Sequence, residues 1–462
     1  AHPVDGCVVM GGCDKTTPGV LMGAISFNIP TVYMPAGAML GGNYEGKVVA
    51  SGTDVWKNWE KKQAGTLSEC QWRALEFGIA RSAGTCMSMG TAATMMILAE
   101  TLGFALPGAA TIPAVDSSHI RMARKCGIQA VELVKKDFKP QDMLTKESFE
   151  NAIVVLNAIG GSTNGIIHLI AMAKRANIDI TLADFERISN DIPLILNLQP
   201  SGKYVMEDFY YAGGTNALFT ELKSRLHDVK TVNLNSFYEN IKDSVNYNDD
   251  VIGSLEKPLN ELGSIAVLRG NLALNGAIIK QTACEERLLK HTGKALVYSD
   301  IKTLKAEIDN DDLDVDENTV LILQNAGPQG APGMPEWGQL PVPKKLLKQG
   351  ITDIVRISDA RMSGTSYGTC VLHVSPESYI GGNLGLVKTG DLIHLDVRER
   401  IIEVLLSDEE LENRRKDYIK ETRDYSSGYV HLYTSHVSQA HEGCDFDFLS
   451  RGNRAGLEPK IF

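Results

Sequence analysis

Short apolar runs, Gly-rich turns and segments of helical period follow one another through the first half of the chain. The run at 7–10 reads as a strand, and a Gly-rich loop after it leads into a helix from about Pro18, a residue suited to the first turn. Four more helices are predicted here: one at 68–80 capped by Ser68, an Ala/Met-rich one that ends at about Leu102, one at 117–136 capped by Ser117, and one at 165–174. A strand is predicted at 153–156. This alternation predicts a layered α/β domain.

The pattern changes between about 205 and 260, where polar residues become more frequent. Short β-rich runs separated by turn residues follow, and helical period is sparse until about 408. The strands predicted there are 264–268, 320–323, 354–357 and 392–397. We therefore predict an α/β fold in which a layered α/β domain (1–240) precedes a smaller β-barrel-like domain with a C-terminal helical tail (241–462).

Composition narrows the class of function. The net charge of −11 and the lack of a basic stripe argue against a nucleic-acid partner, and no run of 18 apolar residues indicates a membrane span. An anionic substrate would need a local metal ion or helix N-termini to bind it. The eight cysteines are scattered over 462 residues, which favours a reducing, cytoplasmic location with metal-binding or structural thiols over a disulfide scaffold.

Two cysteines stand in Gly-containing loops that open helices. Cys13 lies in Gly-Gly-Cys-Asp-Lys-Thr-Thr-Pro-Gly beside Asp14 and Lys15, and Cys86 lies in Gly-Thr-Cys-Met-Ser-Met-Gly. A helix N-terminus favours a thiolate, so Cys13 and Cys86 are candidate ligands for a soft metal and Asp14 for a hard one. A plain Gly-rich connection at Cys13 and a buried, inert Cys86 are the competing interpretations.

Three further loops carry polar groups. Ser162 and Thr163, in the turn Gly-Gly-Ser-Thr-Asn at 160–164, could bind a carboxylate at a helix N-terminus, although a plain capped turn is equally compatible. A proline-stiffened loop at 325–336 presents Glu336, and a polar turn at 358–365 contains Ser363 and a further candidate for substrate binding, Thr365. A rigid surface loop and an ordinary turn are the alternatives for these last two segments.

Taken in order, these five segments resemble the family that contains dihydroxy-acid dehydratase, phosphogluconate dehydratase and the pentonate dehydratases. The resemblance covers nearly the whole chain, and its most specific pieces are the motifs at 13–19, 161–164, 332–336 and 358–364. Met-Pro-Glu-Trp-Gly-Gln-Leu-Pro at 334–341 and the segment Gly-Cys-Asp-Phe-Asp-Phe at 443–448 look like the sugar-acid (pentonate) branch, with the L-arabinonate dehydratases nearest.

The resemblance implies a hydro-lyase that converts a 2,3-dihydroxy sugar acid to a 2-keto-3-deoxy acid. Cys13 and Cys86 match two of the three cysteines that hold a [2Fe–2S] cluster in this family. Asp14, Lys15 and Glu336 match ligands of a Mg²⁺ ion, the lysine being carbamylated. Ser363 matches the proposed base. The family further implies a homodimer or homotetramer.

One departure and two alternatives accompany this interpretation. The family carries a segment ahead of the first residue here, with the third cluster cysteine and another Mg²⁺ ligand, so we expect this chain by itself to lack an intact cluster and a complete metal site. Leu274 also stands where the family usually has proline. The alternatives are a dihydroxy-acid dehydratase of branched-chain amino-acid synthesis and a non-catalytic, truncated member of the family.

Overall fold

Helices make up most of the chain up to Ile241 in the computed structural model, which describes residues 4–419, 423 and 425–449. These helices are α1 (Thr16–Phe27), α2 (Thr53–Gln63), α3 (Glu69–Ile79), α4 (Thr91–Thr101), α5 (Ser117–Lys136), α6 (Pro140–Met143), α7 (Lys146–Ala158), α8 (Asn164–Arg175), α9 (Leu182–Ser189), α10 (Met206–Tyr211), α11 (Gly214–Glu221) and α12 (Phe237–Ile241). Two strand pairs accompany them: parallel β1 (Cys7–Gly11) with β2 (Thr31–Pro35), and antiparallel β3 (Gly42–Tyr44) with β4 (Lys47–Val49). Helices α1 and α5 pack against the β1–β2 pair.

The sequence predicted the caps of two helices, α3 and α5, and the structure confirms one and corrects the other. The predicted cap of α3 is confirmed, because the Ser68 hydroxyl accepts the backbone N–H of Gln71 while the Gln71 side chain accepts the N–H of Ser68. The prediction that Ser117 caps α5 is wrong by one residue. The carboxylate of Asp116 accepts the N–H of Ser118 at 2.7 Å, so Ser117 is the first helical residue.

The strand predicted at 153–156 is wrong, because these residues lie inside α7. Every residue of α7 from Asn151 to Ala158 is buried. An apolar run that is covered on all sides has no polar face, so its periodicity does not distinguish a helix from a strand.

The second half forms a closed eight-stranded barrel, as predicted. Its strands are β5 (Ile265–Gly270), β6 (Ala273–Lys280), β7 (Lys290–Tyr298), β8 (Val320–Leu323), β10 (Arg356–Ser358), β12 (Cys370–Ser375), β13 (Leu392–Asp396) and β14 (Ile401–Val404). Around the barrel the order is β10-β12-β6-β5-β14-β13-β7-β8. All four predicted strands are present as β5, β8, β10 and β13. The mixed α/β class with a barrel-like second part is therefore confirmed.

Side chains alternate between the inside and the outside of the barrel. Ala266 and Ile279 belong to the barrel's own core, whereas Ile265, Val267 and Ile278 join the core of the helical region. The segment before β5 also bonds back to the helical region, as in the 2.9 Å contact from Asn197 N to the Val251 carbonyl. The division predicted at 240/241 stays a prediction.

A short parallel pair outside the barrel, β9 (Glu336–Trp337) with β11 (Arg361–Met362), sets Glu336 beside Arg361. The remaining helices are α13 (Ile301–Glu307), α14 (Lys344–Lys348), α15 (Asp408–Asp417) and α16 (Gly428–His436). Within the described residues, no helix is both long enough and apolar enough to cross a membrane.

Candidate functional site

The loops that carry Cys13 and Cys86 touch each other. Cys13 follows β1, and the chain after β2 forms a bridge with the residue before Cys86, with Met39 N bonded to the Thr85 carbonyl at 2.9 Å. Gly12 is required at this junction, since a methyl group on it would lie 2.7 Å from Thr85 Cγ2. The small sheet thus places both predicted thiols at the same edge.

The pKa of Cys86 also reflects how close its thiol lies to Cys13 and Asp14. Burial raises the pKa of the Cys86 thiol, the Ser51 hydroxyl lowers it through a hydrogen bond, and the charges of Asp14 and Cys13 raise it again. Cys13 is exposed and Cys86 is half-buried. A thiol held in its neutral form by burial and by neighbouring negative charge would ionise more readily beside a bound cation.

Lys15 and Glu336 form an ion pair between the loop after β1 and strand β9. The Lys15 ammonium contacts Oε2 of Glu336 and lies 3.8 Å from Oδ2 of Asp14. The Glu336 side chain is only 11% exposed. Burial raises the pKa of Glu336, while the Lys15 charge lowers it and the Asp14 charge raises it. The three residues predicted as metal ligands are therefore assembled in one cluster.

The turn at 160–164 lies directly behind this cluster. Asn164 donates from Nδ2 to Glu336 Oε2 at 3.2 Å, and Ser162 Oγ is 2.8 Å from Thr91 Oγ1. Ser162 is fully buried, and Thr163 is 5% exposed. The turn is thus built into the interior beside Glu336, and substrate binding by Ser162 and Thr163 stays a prediction.

Ser363 follows β11 and is held by its neighbours. Its backbone N–H donates to the Trp337 carbonyl at 2.7 Å, and its Oγ lies 3.0 Å from Thr365 Oγ1. Gly364 permits close approach to the helical region, since a methyl group there would lie 2.5 Å from Ser162 Cβ. The Thr365 carbonyl also accepts the Thr53 hydroxyl at 2.8 Å. The barrel loop with Ser363 and Thr365 therefore meets the turn at 160–164, and substrate binding by Thr365 stays a prediction.

The sequence did not single out several polar residues next to the site. Asn164 and Thr91 lie behind Glu336, and two imidazoles, His168 and His373, are buried nearby. Burial lowers the pKa of both histidines, that of His373 to about 3, and the charge of Arg361 lowers both further. The one available signal was the Asn at the end of the turn motif, with His168 one helical turn later on the same face.

The donor atoms of this site match the predicted metal groups in part. Two thiols, Cys13 and Cys86, suit iron, and the carboxylates of Asp14 and Glu336 suit Mg²⁺. The described residues contain no group of three or more His, Cys, Asp or Glu side chains arranged for a metal ion. The residues thus supply part of the donor set of each metal group. The buried carboxylate of Glu336 is paired with the Lys15 ammonium, which shows that this position needs a positive charge beside it.

Comparisons with known proteins address the chain as a whole. Residues 1–240 match the dihydroxy-acid/6-phosphogluconate dehydratase N-terminal profile, and residues 250–444 match the corresponding C-terminal profile. The chain is 48% identical to 6-deoxy-6-sulfo-D-gluconate dehydratase of Pseudomonas putida and 49% identical to L-arabinonate dehydratase of Rhizobium leguminosarum bv. trifolii, in each case over 99% of this chain and 80% of the relative. It is 40% identical to a dihydroxy-acid dehydratase of Methanoregula boonei, over 96% of this chain and 80% of that protein.

Proposed function

Because this chain belongs to the dihydroxy-acid/6-phosphogluconate dehydratase family, we propose that it removes water from a 2,3-dihydroxy sugar acid and releases a 2-keto-3-deoxy acid. The chain is an enzyme of the hydro-lyase class. The sugar-acid substrate, a pentonate or hexonate such as L-arabinonate, is supported by the relatives at 46–49% identity whose names specify sugar acids.

The contact between Lys15 and Glu336 carries the proposal. It joins the loop of Cys13 and Asp14 to β9, beside the barrel, and β9 pairs with β11, the strand just before Ser363. An acid with hydroxyl groups on C2 and C3 needs positive charge for its carboxylate, a base for the C2 proton and an acid for the departing hydroxyl. The cluster offers groups for each of these tasks within one site.

We propose that Cys13 and Cys86 hold a [2Fe–2S] cluster, and that Asp14, Glu336 and a carbamylated Lys15 hold Mg²⁺. The two thiols in touching loops and the two carboxylates beside Lys15 support this assignment. When bound, Mg²⁺ supplies positive charge for the substrate carboxylate and C2 oxygen, and the cluster supplies a Lewis-acidic iron for the C3 hydroxyl.

In this proposal Ser363 moves the proton. Its Oγ, as the alkoxide, takes the proton from C2, the electron pair of that C–H bond forms the C2–C3 double bond, and the C3–O bond breaks. The departing hydroxide takes the same proton back from the Ser363 hydroxyl and leaves as water, which restores the alkoxide. The enol that results becomes the ketone by taking a solvent proton at C3. The Thr365 hydroxyl, 3.0 Å from Ser363 Oγ, can donate a hydrogen bond that stabilises the serine alkoxide.

A turnover assay on four acids tests the proposed function. L-Arabinonate, D-xylonate, D-gluconate and dihydroxyisovalerate are offered to the complete gene product, purified without oxygen, and 2-keto acid formation is measured. We expect one or more sugar acids to be the preferred substrates. Rapid turnover of dihydroxyisovalerate alone would assign the chain to branched-chain amino-acid synthesis instead.

We also propose that the enzyme is a cytoplasmic homodimer or homotetramer. Phe27 (81% exposed) and Phe77 (86% exposed) are apolar side chains that a subunit contact would bury. All eight cysteines are free thiols, which supports a reducing compartment. Light scattering at several protein concentrations measures the subunit number.

A further inference from the structure

We infer that Asn164 is a positioning residue, which holds Glu336 and the segment of Ser363 in one fixed arrangement. The inference rests on the proposed function of those two residues. Asn164 begins α8 and is completely buried. It contacts neither the predicted cluster cysteines nor Lys15 through any hydrogen bond within the described residues.

The amide nitrogen of Asn164 lies where four segments of the chain meet. Nδ2 is 3.2 Å from Glu336 Oε2, 3.0 Å from the Met362 carbonyl, 3.1 Å from Thr91 Oγ1 and 3.3 Å from Ser162 Oγ. An amide nitrogen carries two hydrogens, so these four oxygens share them. Two of the four contacts, to Glu336 and to the carbonyl just before Ser363, link the side chain to the proposed chemistry.

The orientation of the amide follows from its partners. Asn164 Oδ1 is buried and has no hydrogen-bond partner among the described residues. An amide turned the other way would set this oxygen against the Glu336 carboxylate and the Met362 carbonyl. A carbonyl oxygen and an ionised carboxylate both accept hydrogen bonds and donate none, so neither could bond to it. The side chain therefore leaves one oxygen unsatisfied while its nitrogen holds the two acceptors, a costly arrangement that points to a positional role.

These contacts add something that the backbone alone lacks. Strands β9 and β11 already pair Met362 with Trp337. That pairing fixes Glu336 relative to Ser363, but it does not fix either residue relative to the helical region. Asn164 ties both to α8, and the same turn lies against Gly364. Without the amide, the carboxylate would lose a donor and the Ser363 segment would lose its anchor to the helical region.

Asn164→Ala tests the inference, with Asn151→Ala as the matched control. Asn151 is also fully buried, and its amide bonds to the backbone of His227, at 2.9 Å from Nδ2 to the carbonyl and 2.7 Å from the N–H to Oδ1. In the complete gene product we expect Asn164→Ala to lower kcat by about 10²-fold with KM changed less than about threefold, since misplaced reacting groups slow the chemical step. We expect Asn151→Ala to keep kcat within about threefold of the wild type at a similar loss of stability.

Hydrogen exchange gives a second measurement that needs neither substrate nor metal. Amides at 334–338 and 361–366 should exchange at least about tenfold faster in Asn164→Ala than in Asn151→Ala, because their anchor to α8 is gone. Equal exchange in the two variants would overturn the inference, as would a loss that appears in KM alone. Absence of sugar-acid turnover in the wild type would refute the proposed function, and the exchange rates would still decide whether Asn164 positions the two segments.

Discussion

Lys15 and Glu336 are 321 positions apart in the chain, and the ammonium of one contacts the carboxylate of the other. The pair joins the loop after β1 to β9, beside the barrel. Carbamylation would turn the Lys15 amine into an anionic oxygen ligand, and Asp14, Lys15 and Glu336 would then repel one another unless a cation lay between them. The pair seen here is therefore the arrangement that balances charge when the amine is free.

Replacing Glu336 by Gln should remove one anionic oxygen while keeping the shape of the side chain. We expect Mg²⁺ affinity and turnover each to fall by at least about 10²-fold, since even the partners of metal ligands contribute 10- to 100-fold. The affinity is measured with Mn²⁺ in place of Mg²⁺, by a titration followed by electron paramagnetic resonance. The control is Glu285→Gln, a half-exposed carboxylate paired with Arg287 at 2.7 Å, which should change neither quantity.

Ser363→Ala should abolish proton transfer and leave the iron–sulfur absorption spectrum intact, because the serine is assigned to the base and not to a metal. The expected loss of turnover is about 10²–10⁴-fold, the usual contribution of a general base. A loss below about tenfold would count against that role. Ser254→Ala, in a loop where the hydroxyl accepts the N–H of Lys257, is the matched control.

Local patterns in the sequence were enough for much of the fold and part of the site. A short apolar run bounded by turn residues predicts the strand at 320–323, which is present as β8. The Cys13 loop leads into α1 at Thr16, whereas α4 begins only at Thr91, so Cys86 does not lie at the helix N-terminus predicted for it. The strand at 153–156 was wrong because α7 is buried on all sides. The bond from Asn164 to the Met362 carbonyl spans 198 positions, and nothing in either local sequence indicates it.

Lys280 should make stability depend on pH. Burial lowers its pKa to about 7 from the ordinary 10.5, and its Nζ has no hydrogen-bond partner among the described residues. Between those two values the unfolded chain binds a proton that the folded chain does not, so the free energy of unfolding should rise with pH by up to about 1.4 kcal/mol per unit. Below pH 7 the amine is protonated in both the folded and the unfolded chain, and the folded protein bears the whole cost of burying its charge.

The variant Lys280→Met should remove this slope and be more stable than the wild type at pH 7. Urea unfolding between pH 7 and 10 measures both effects. The exposed Lys302→Met is the control and should leave the slope unchanged. A wild-type slope equal to that of Lys280→Met would show that the amine is charged and solvated in the folded protein.

Asp353→Ala should destabilise the barrel, because it leaves a buried guanidinium without its ion-pair partner. Arg356 is completely buried, and its Nη2 lies 2.8 Å from Asp353 Oδ1. We expect a loss of about 3–5 kcal/mol in the free energy of unfolding. The exposed pair of Asp311 with Lys348, at 2.7 Å, is the matched control, and Asp311→Ala should change the free energy of unfolding far less than Asp353→Ala does.

The most direct test of the proposed dehydration is proton magnetic resonance of a sugar acid incubated in D₂O with the complete gene product. The expected result is a 2-keto-3-deoxy acid that carries one solvent deuterium at C3, formed by the wild type and lost in Glu336→Gln and Ser363→Ala. The account would be contradicted by sugar acids that stay unchanged, or by a product that retains its C3 oxygen.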